Sequence, residues 1–127
     1  MAMSEKRLYT KEHEWVVVKG SIARIGVSDY AQNELGDIVF VELPSVGDVV
    51  EEGEGFAVLE SVKAVSDVYA PVSGRVVAVN EALEDSPELI NESPLDEGWI
   101  AEIEIDDTAQ VGDLMSEQEY MEYLKGV

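Results

Sequence analysis

Residues 56–70 read Phe56-Ala57-Val58-Leu59-Glu60-Ser61-Val62-Lys63-Ala64-Val65-Ser66-Asp67-Val68-Tyr69-Ala70. Two strand-like runs, 56–60 and 66–70, stand on either side of a short break at 61–65. A hairpin turn in the break pushes Lys63 out at an exposed tip. Lys63 is the only basic residue between Arg24 and Arg75, an interval holding ten acidic residues. An ordinary solvated lysine countering Glu60 is the plain reading. Schiff-base chemistry requires a desolvated lysine of lowered pKa, and so many carboxylates act in the opposite direction. An acylated lysine loses its charge and becomes a long tether, for which an exposed hairpin tip gives access and room to swing.

Turn residues bound this segment on both sides. Gly47, Gly53 and Gly55 precede it, and Pro71 and Gly74 lead out of it into an apolar run at 76–79. Further out, 15–19 and 22–27 flank a hairpin at Gly20-Ser21, and 38–43 is β-branched and ends at Pro44. Residues 99–105 alternate, with Ile100, Glu102 and Glu104 on one side and Trp99, Ala101, Ile103 and Ile105 on the other. Two helices are expected. One runs over 28–35, opening at Ser28-Asp29 and closing on Gly36. The other spans about 116–125, where Ser116 and Glu119 have capping-box spacing and Tyr120, Tyr123 and Leu124 form a stripe that packs on the sheet. Many short strands with frequent turns predict a mainly β chain, a sandwich or barrel with helices at its edges.

The 127 residues fit one domain, 1–127, with the lysine hairpin at about 56–70. The chain is 46% hydrophobic and has no apolar run near the roughly 20 residues of a membrane span. Residues 1–10 lack a signal-peptide core, so the cytoplasm is expected, or the mitochondrial matrix for a mature eukaryotic form. Absence of cysteine excludes disulfides, thiolate nucleophiles and iron–sulfur clusters. A net charge of −20 argues against nucleic acid and suits either solubility or steering toward basic partners. His13 is the single histidine, without a Gly-x-Ser-x-Gly elbow or a phosphate loop. Glu84-Asp85 and Asp106-Asp107 could bind calcium weakly, but a solvated face explains them better. No enzymatic centre emerges.

The segment Glu60-Ser61-Val62-Lys63-Ala64-Val65-Ser66-Asp67, followed by Tyr69-Ala70-Pro71-Val72-Ser73-Gly74, resembles the lipoylation site of the glycine cleavage H-protein family. The resemblance extends over nearly the whole chain. It includes Tyr9-Thr10-Lys11-Glu12-His13-Glu14-Trp15, Ile25-Gly26-Val27-Ser28-Asp29-Tyr30, Leu35-Gly36-Asp37-Ile38-Val39-Phe40, Pro87-Glu88-Leu89-Ile90-Asn91 and Gly98-Trp99. It implies a lipoyl/biotinyl-type β-sandwich, a barrel-sandwich hybrid. Lys63 would carry lipoate through an amide, and Glu60, Ser61, Val62 and Ala64 would be read by the attaching enzyme, a lipoate ligase or lipoyl/octanoyl transferase. The arm would take an aminomethyl group from glycine decarboxylase to aminomethyltransferase and be reoxidised by dihydrolipoamide dehydrogenase. Glu12, Glu14 and Asp67 match the family's cleft for the loaded arm, where carboxylates would hold a cationic amine by charge-assisted hydrogen bonds. Arg75, and the lack of an aromatic residue after Pro94, depart from the family pattern.

Three alternatives fit less well, and a fourth stays open. A biotin carrier typically has methionines beside its lysine, where this chain has Val62 and Ala64. A lipoyl domain of a dehydrogenase acyltransferase leaves the terminal motifs unexplained. An acyl carrier protein would be helical with a serine at a helix start. The fourth is a relay that hands octanoyl or lipoyl groups to other lipoyl enzymes.

Overall fold

The structure, a computed structural model, describes residues 7–106, 111–112 and 114–126. In chain order the elements are β1 (Arg7–Tyr9), β2 (Glu14–Lys19), β3 (Ile22–Val27), α1 (Asp29–Leu35), β4 (Ile38–Glu42), β5 (Val49–Val50), β6 (Gly55–Ser61), β7 (Val65–Tyr69), β8 (Gly74–Val79), α2 (Ala82–Asp85), α3 (Leu89–Glu92), β9 (Ala101–Ile105) and α4 (Glu117–Leu124). They form two antiparallel sheets, one of order β1-β2-β3-β9-β8-β5 and one of order β4-β6-β7. The fold is therefore the expected mainly β sandwich with helices at its edges.

The core lies between the sheets. Val16 opposes Ile25, which opposes Ala101, and Ala23 opposes Ile103, which opposes Val76. These side chains meet Val41, Leu59 and Val68 of the smaller sheet in one buried cluster. Apolar residues at alternate positions explain why each strand buries one face. A second cluster, Tyr9, Trp15 and Tyr120, sits on the outer face of the large sheet. There the Trp15 indole N–H donates to the Pro94 carbonyl at 2.8 Å, and the Arg7 guanidinium lies 5.0 Å from the ring centre.

Gly26 makes this seat possible. It pairs with Trp15 across the β2–β3 ladder, and a Cβ there would fall 2.6 Å from the indole. Gly26→Ala is expected to destabilise the fold by about 2 kcal/mol, since a packed ring must be displaced. The midpoint of urea unfolding checks this, and an unchanged midpoint would mean that the indole gives way freely.

The β2–β3 hairpin turns at Gly20-Ser21, with Gly20 at φ 65°. Helix α1 is capped by Ser28, whose hydroxyl accepts from the Ala31 N–H, and closes at Gly36. Helix α4 has the full capping box of Ser116 and Glu119. The strand expected over 99–105 begins only at Ala101. Before it, Asn80 binds the Trp99 carbonyl and Ile100 is bonded to Ile25 and Asn80, so Ile100 is buried rather than on the glutamate side. Strands β1 and β5 and the single-turn helices α2 and α3 are additional to the sequence expectations. Asp107 lies outside the described residues, and among those described no acidic cluster is arranged to hold a metal.

Candidate functional site

Lys63 sits at the tip between β6 and β7, and is exposed. The turn is closed by the Ser61 N–H, which donates to the Ala64 carbonyl at 2.8 Å. The Ser61 hydroxyl oxygen accepts from the N–H groups of Lys63 (3.2 Å) and Ala64 (3.0 Å). A serine here supplies the local acceptor that a tight turn needs. Among the described residues Lys63 has no carboxylate partner at ion-pair distance, Glu60 included.

The tip also rests on the corner between α1 and β4. The Val62 N–H donates to the Asp37 carbonyl at 3.2 Å. The Lys63 stem passes so near Gly36 that a Cβ there would lie 3.4 Å from Lys63 Cε, and Gly36 has φ 82°. Asn91 of α3 fixes the corner from behind. Its amide nitrogen donates to the Gly36 carbonyl (2.9 Å) and to Gln32 (3.0 Å), while its oxygen accepts from the Ile38 N–H (2.8 Å). Asn91→Ala is expected to cost about 2 kcal/mol through the corner groups it leaves unpaired. It should also slow acylation of Lys63 in a time course followed by mass, whereas an unaltered rate would detach the corner from tip presentation.

Apolar side chains surround the tip. A bulge in β4 between Ile38 and Phe40 turns Val39 and Phe40 outward together. They and Val62 and Val65 are each at least half exposed, with Val62 at 72%.

Glu14 occupies a different environment. It opens β2 and is only 2% exposed. One carboxylate oxygen accepts from the Thr10 hydroxyl at 2.6 Å, and the other from the Tyr69 N–H at 3.1 Å. Burial pushes its pKa up to about 7, against the pull of those two donors; the neighbouring Glu12 charge raises it further. A cavity of about 260 Å³ opens beside it, lined by Glu12, Glu14, Tyr69, Pro71, Leu114 and Met115 among others. Glu12 is exposed at its rim. Asp67 is exposed on β7, two residues from Tyr69, and is not part of the lining. The structure thus brings Glu12 and Glu14 to one cavity and leaves Asp67 on the strand between it and the lysine tip. From Val65 to Tyr69 the strand spans about 13 Å at ~3.3 Å per residue.

His13 lies between these glutamates at φ 71°, the one non-glycine residue with positive φ among those described. Its ring Nδ1 and the Tyr120 hydroxyl are 2.7 Å apart. Burial lowers its pKa. Asn91, Gly36, Thr10 and the Tyr120 hydroxyl help to form the site, a role the sequence did not assign them. Thr10, Gly36 and Asn91 stand within the family motifs, whereas Tyr120 read only as part of an apolar stripe.

A family model described as glycine cleavage H-protein matches residues 7–127. The glycine cleavage system H protein of Halothermothrix orenii is 56% identical over 127 residues, covering 100% of this chain and 99% of that one. Those of Staphylococcus epidermidis and Staphylococcus carnosus are 53% and 54% identical over 124 residues, with 98% of each chain covered. The crystal structure of a glycine cleavage system H protein from Mycobacterium marinum superposes with a TM-score of 0.85 at 38% identity, covering 96% of this chain and 98% of that one.

Proposed function

Because the chain belongs to the glycine cleavage H-protein family, a lipoyl carrier of the glycine cleavage system, we propose that Lys63 is its lipoyl attachment point and that Glu14 receives the loaded arm. The observation that carries this reading is the pairing of an exposed lysine turn, closed by its own hydrogen bonds, with a cavity holding one buried carboxyl, joined by a single strand.

The residues fit the group. The lysine side chain is exposed at the tip, and Gly36 leaves space beneath its stem that a side chain would fill. A lysine extended by an eight-carbon acyl chain is of the length needed to follow β7 from the tip to the cavity. When bound, lipoate supplies a disulfide that is reduced and reoxidised, and a thiol that holds the aminomethyl cargo.

Glu14 does the chain's part. Its two oxygens already accept hydrogen bonds from Thr10 and Tyr69, which fixes the plane of the carboxylate. An arriving ammonium favours the ionised form, so the proton held at about pH 7 leaves as the cation enters. The charge-assisted contact then forms out of water, where it is strongest. Leu114 and Met115, beside Pro71, exclude solvent from the cargo and slow its hydrolysis. Asp67 lies along the route and would attract the same cation in passing.

The chain itself performs no chemistry in this reading; it presents cargo to glycine decarboxylase, aminomethyltransferase and dihydrolipoamide dehydrogenase. A lipoate ligase or lipoyl/octanoyl transferase would act on the tip through Glu60, Ser61, Val62 and Ala64. No described helix is long and apolar enough to cross a membrane. The bacterial relatives support the cytoplasm as the compartment of this carrier. The relay role is not favoured, since the matched relatives bear the glycine cleavage name. Mixing the lipoylated chain with glycine decarboxylase and glycine should release carbon dioxide and raise the carrier's mass by one methylamine, as the disulfide opens to one aminomethylated sulfur and one thiol. Release at the rate of free lipoamide would remove the carrier assignment.

A further inference from the structure

We propose that Tyr120 of the C-terminal helix is a positioning residue for Glu14, acting through His13 and Tyr9 on the turn that carries the cleft carboxyl. The proposal rests on Glu14 serving the cleft, and adds α4 to the machinery of that site.

The turn from Thr10 to Glu14 is held in an unfavourable shape. A left-handed conformation costs a residue such as His13 about 1–2 kcal/mol, so neighbours must impose it. The His13 N–H donates to the Thr10 carbonyl at 3.1 Å, and its carbonyl accepts from the Ser28 N–H at 2.9 Å. The imidazole is fixed by the Tyr120 hydroxyl at 2.7 Å, and that hydroxyl also meets the Ser28 hydroxyl at 2.8 Å. Tyr120 is 1% exposed. It therefore binds both the ring of His13 and the residue that grips the His13 backbone.

Its ring acts on the other side of the same turn. Tyr120 stacks on Tyr9 with centroids 4.3 Å apart and planes 3° from parallel. Tyr9 immediately precedes Thr10, the donor to Glu14. Tyr9 also exchanges two backbone hydrogen bonds of 2.8 Å with Met115, which lines the cavity. One side chain thus clamps the start of the turn, its strained centre and, through Tyr9, a wall of the cleft. His13 meets Tyr30 and Tyr123 as well, with Glu12 and Glu34 the charges that act on it. Lys11, Glu12 and Glu52 share the cavity with Glu14.

The test uses the chain without lipoate. The Glu14 carboxyl is followed by carbon-13 NMR against pH in wild type and in Tyr120→Phe, which keeps the stacking ring and removes the hydroxyl. Loosening of the turn admits water to Glu14, so its midpoint is expected to fall by about one pH unit. Acylation of Lys63 by a lipoate ligase should proceed unchanged, because the tip shares no contact with Tyr120. A Glu14 midpoint that stays at its wild-type value overturns the proposal, even if thermal stability drops. Should Tyr120→Phe not fold, His13→Gly serves instead: glycine adopts the left-handed conformation and carries no side chain to meet the Tyr120 hydroxyl, and the same fall or constancy decides. Failure of the cleft reading looks different, as a Glu14→Gln carrier that keeps its loaded arm as long as wild type.

Discussion

Lys63→Arg is expected to abolish lipoylation completely while leaving the fold intact. The side chain is exposed and has no ion-pair partner among the described residues, so its replacement removes no packing. Arginine keeps the charge but offers no amine that forms the amide at neutral pH. Co-expression with a lipoate ligase, followed by intact mass measurement, should show one lipoyl adduct on wild type and none on the variant. A surviving adduct would move the attachment to another lysine. Circular dichroism and the urea midpoint should coincide for the two chains, which separates loss of the acceptor from loss of structure.

Glu14→Gln should change both stability and cargo retention, in opposite directions. The native carboxyl titrates at about 7 against an ordinary 4.5. The folded state therefore holds its proton more tightly than the unfolded state. Below pH 4.5 both states are protonated and Glu14 contributes nothing. From 4.5 to 7 the unfolded chain gives up its proton first, so stability falls as pH rises, and above 7 the full cost remains. At about 1.4 kcal/mol per pH unit, that interval amounts to ~3 kcal/mol. Glutamine can still accept from the Tyr69 N–H and meets Thr10 without carrying charge, so the variant should unfold at higher urea than wild type at pH 8 and at the same urea at pH 4. Identical pH profiles would place the Glu14 charge in water. Retention should move the other way. A charge-assisted hydrogen bond of ~1.5 kcal/mol is lost, and the loaded form should break down roughly tenfold faster at pH 8, with the difference shrinking only where the pH is low enough to protonate Glu14 beside the bound cation.

The sequence carried those parts of the fold that local chemistry decides. Gly20-Ser21 marked the hairpin, Ser28 and Gly36 bracketed α1, and Ser116 with Glu119 opened α4. The lysine turn was legible because a basic residue broke a long acidic interval between two strand-like runs. Strands β1 and β5 were not legible, since three and two residues have no periodicity of their own and become strands only through partners far along the chain. Trp99 and Ile100 misled because alternation continued past the point where Asn80 captures the chain. Glu14 was found through motif resemblance; nothing in its neighbours tells that the Thr10 hydroxyl and the Tyr69 backbone, 55 residues away, close over it. His13 had no derivable role for the same reason, because its partner lies 107 residues downstream.

The bulge in β4 bears on how copies of this chain behave toward one another. β4 is an outer strand of its sheet, and a flat outer strand with two exposed apolar residues invites another chain to add on in register. The extra residue breaks the even row of free N–H and C=O groups, and one of those N–H groups, that of Ile38, is already taken by Asn91. Strand addition and ordered aggregation are thereby discouraged at the end of the molecule that carries the Lys63 turn. Any protein that grips this end through β4 has to do so by side chains rather than by lengthening the sheet, which leaves it free to let go after each visit.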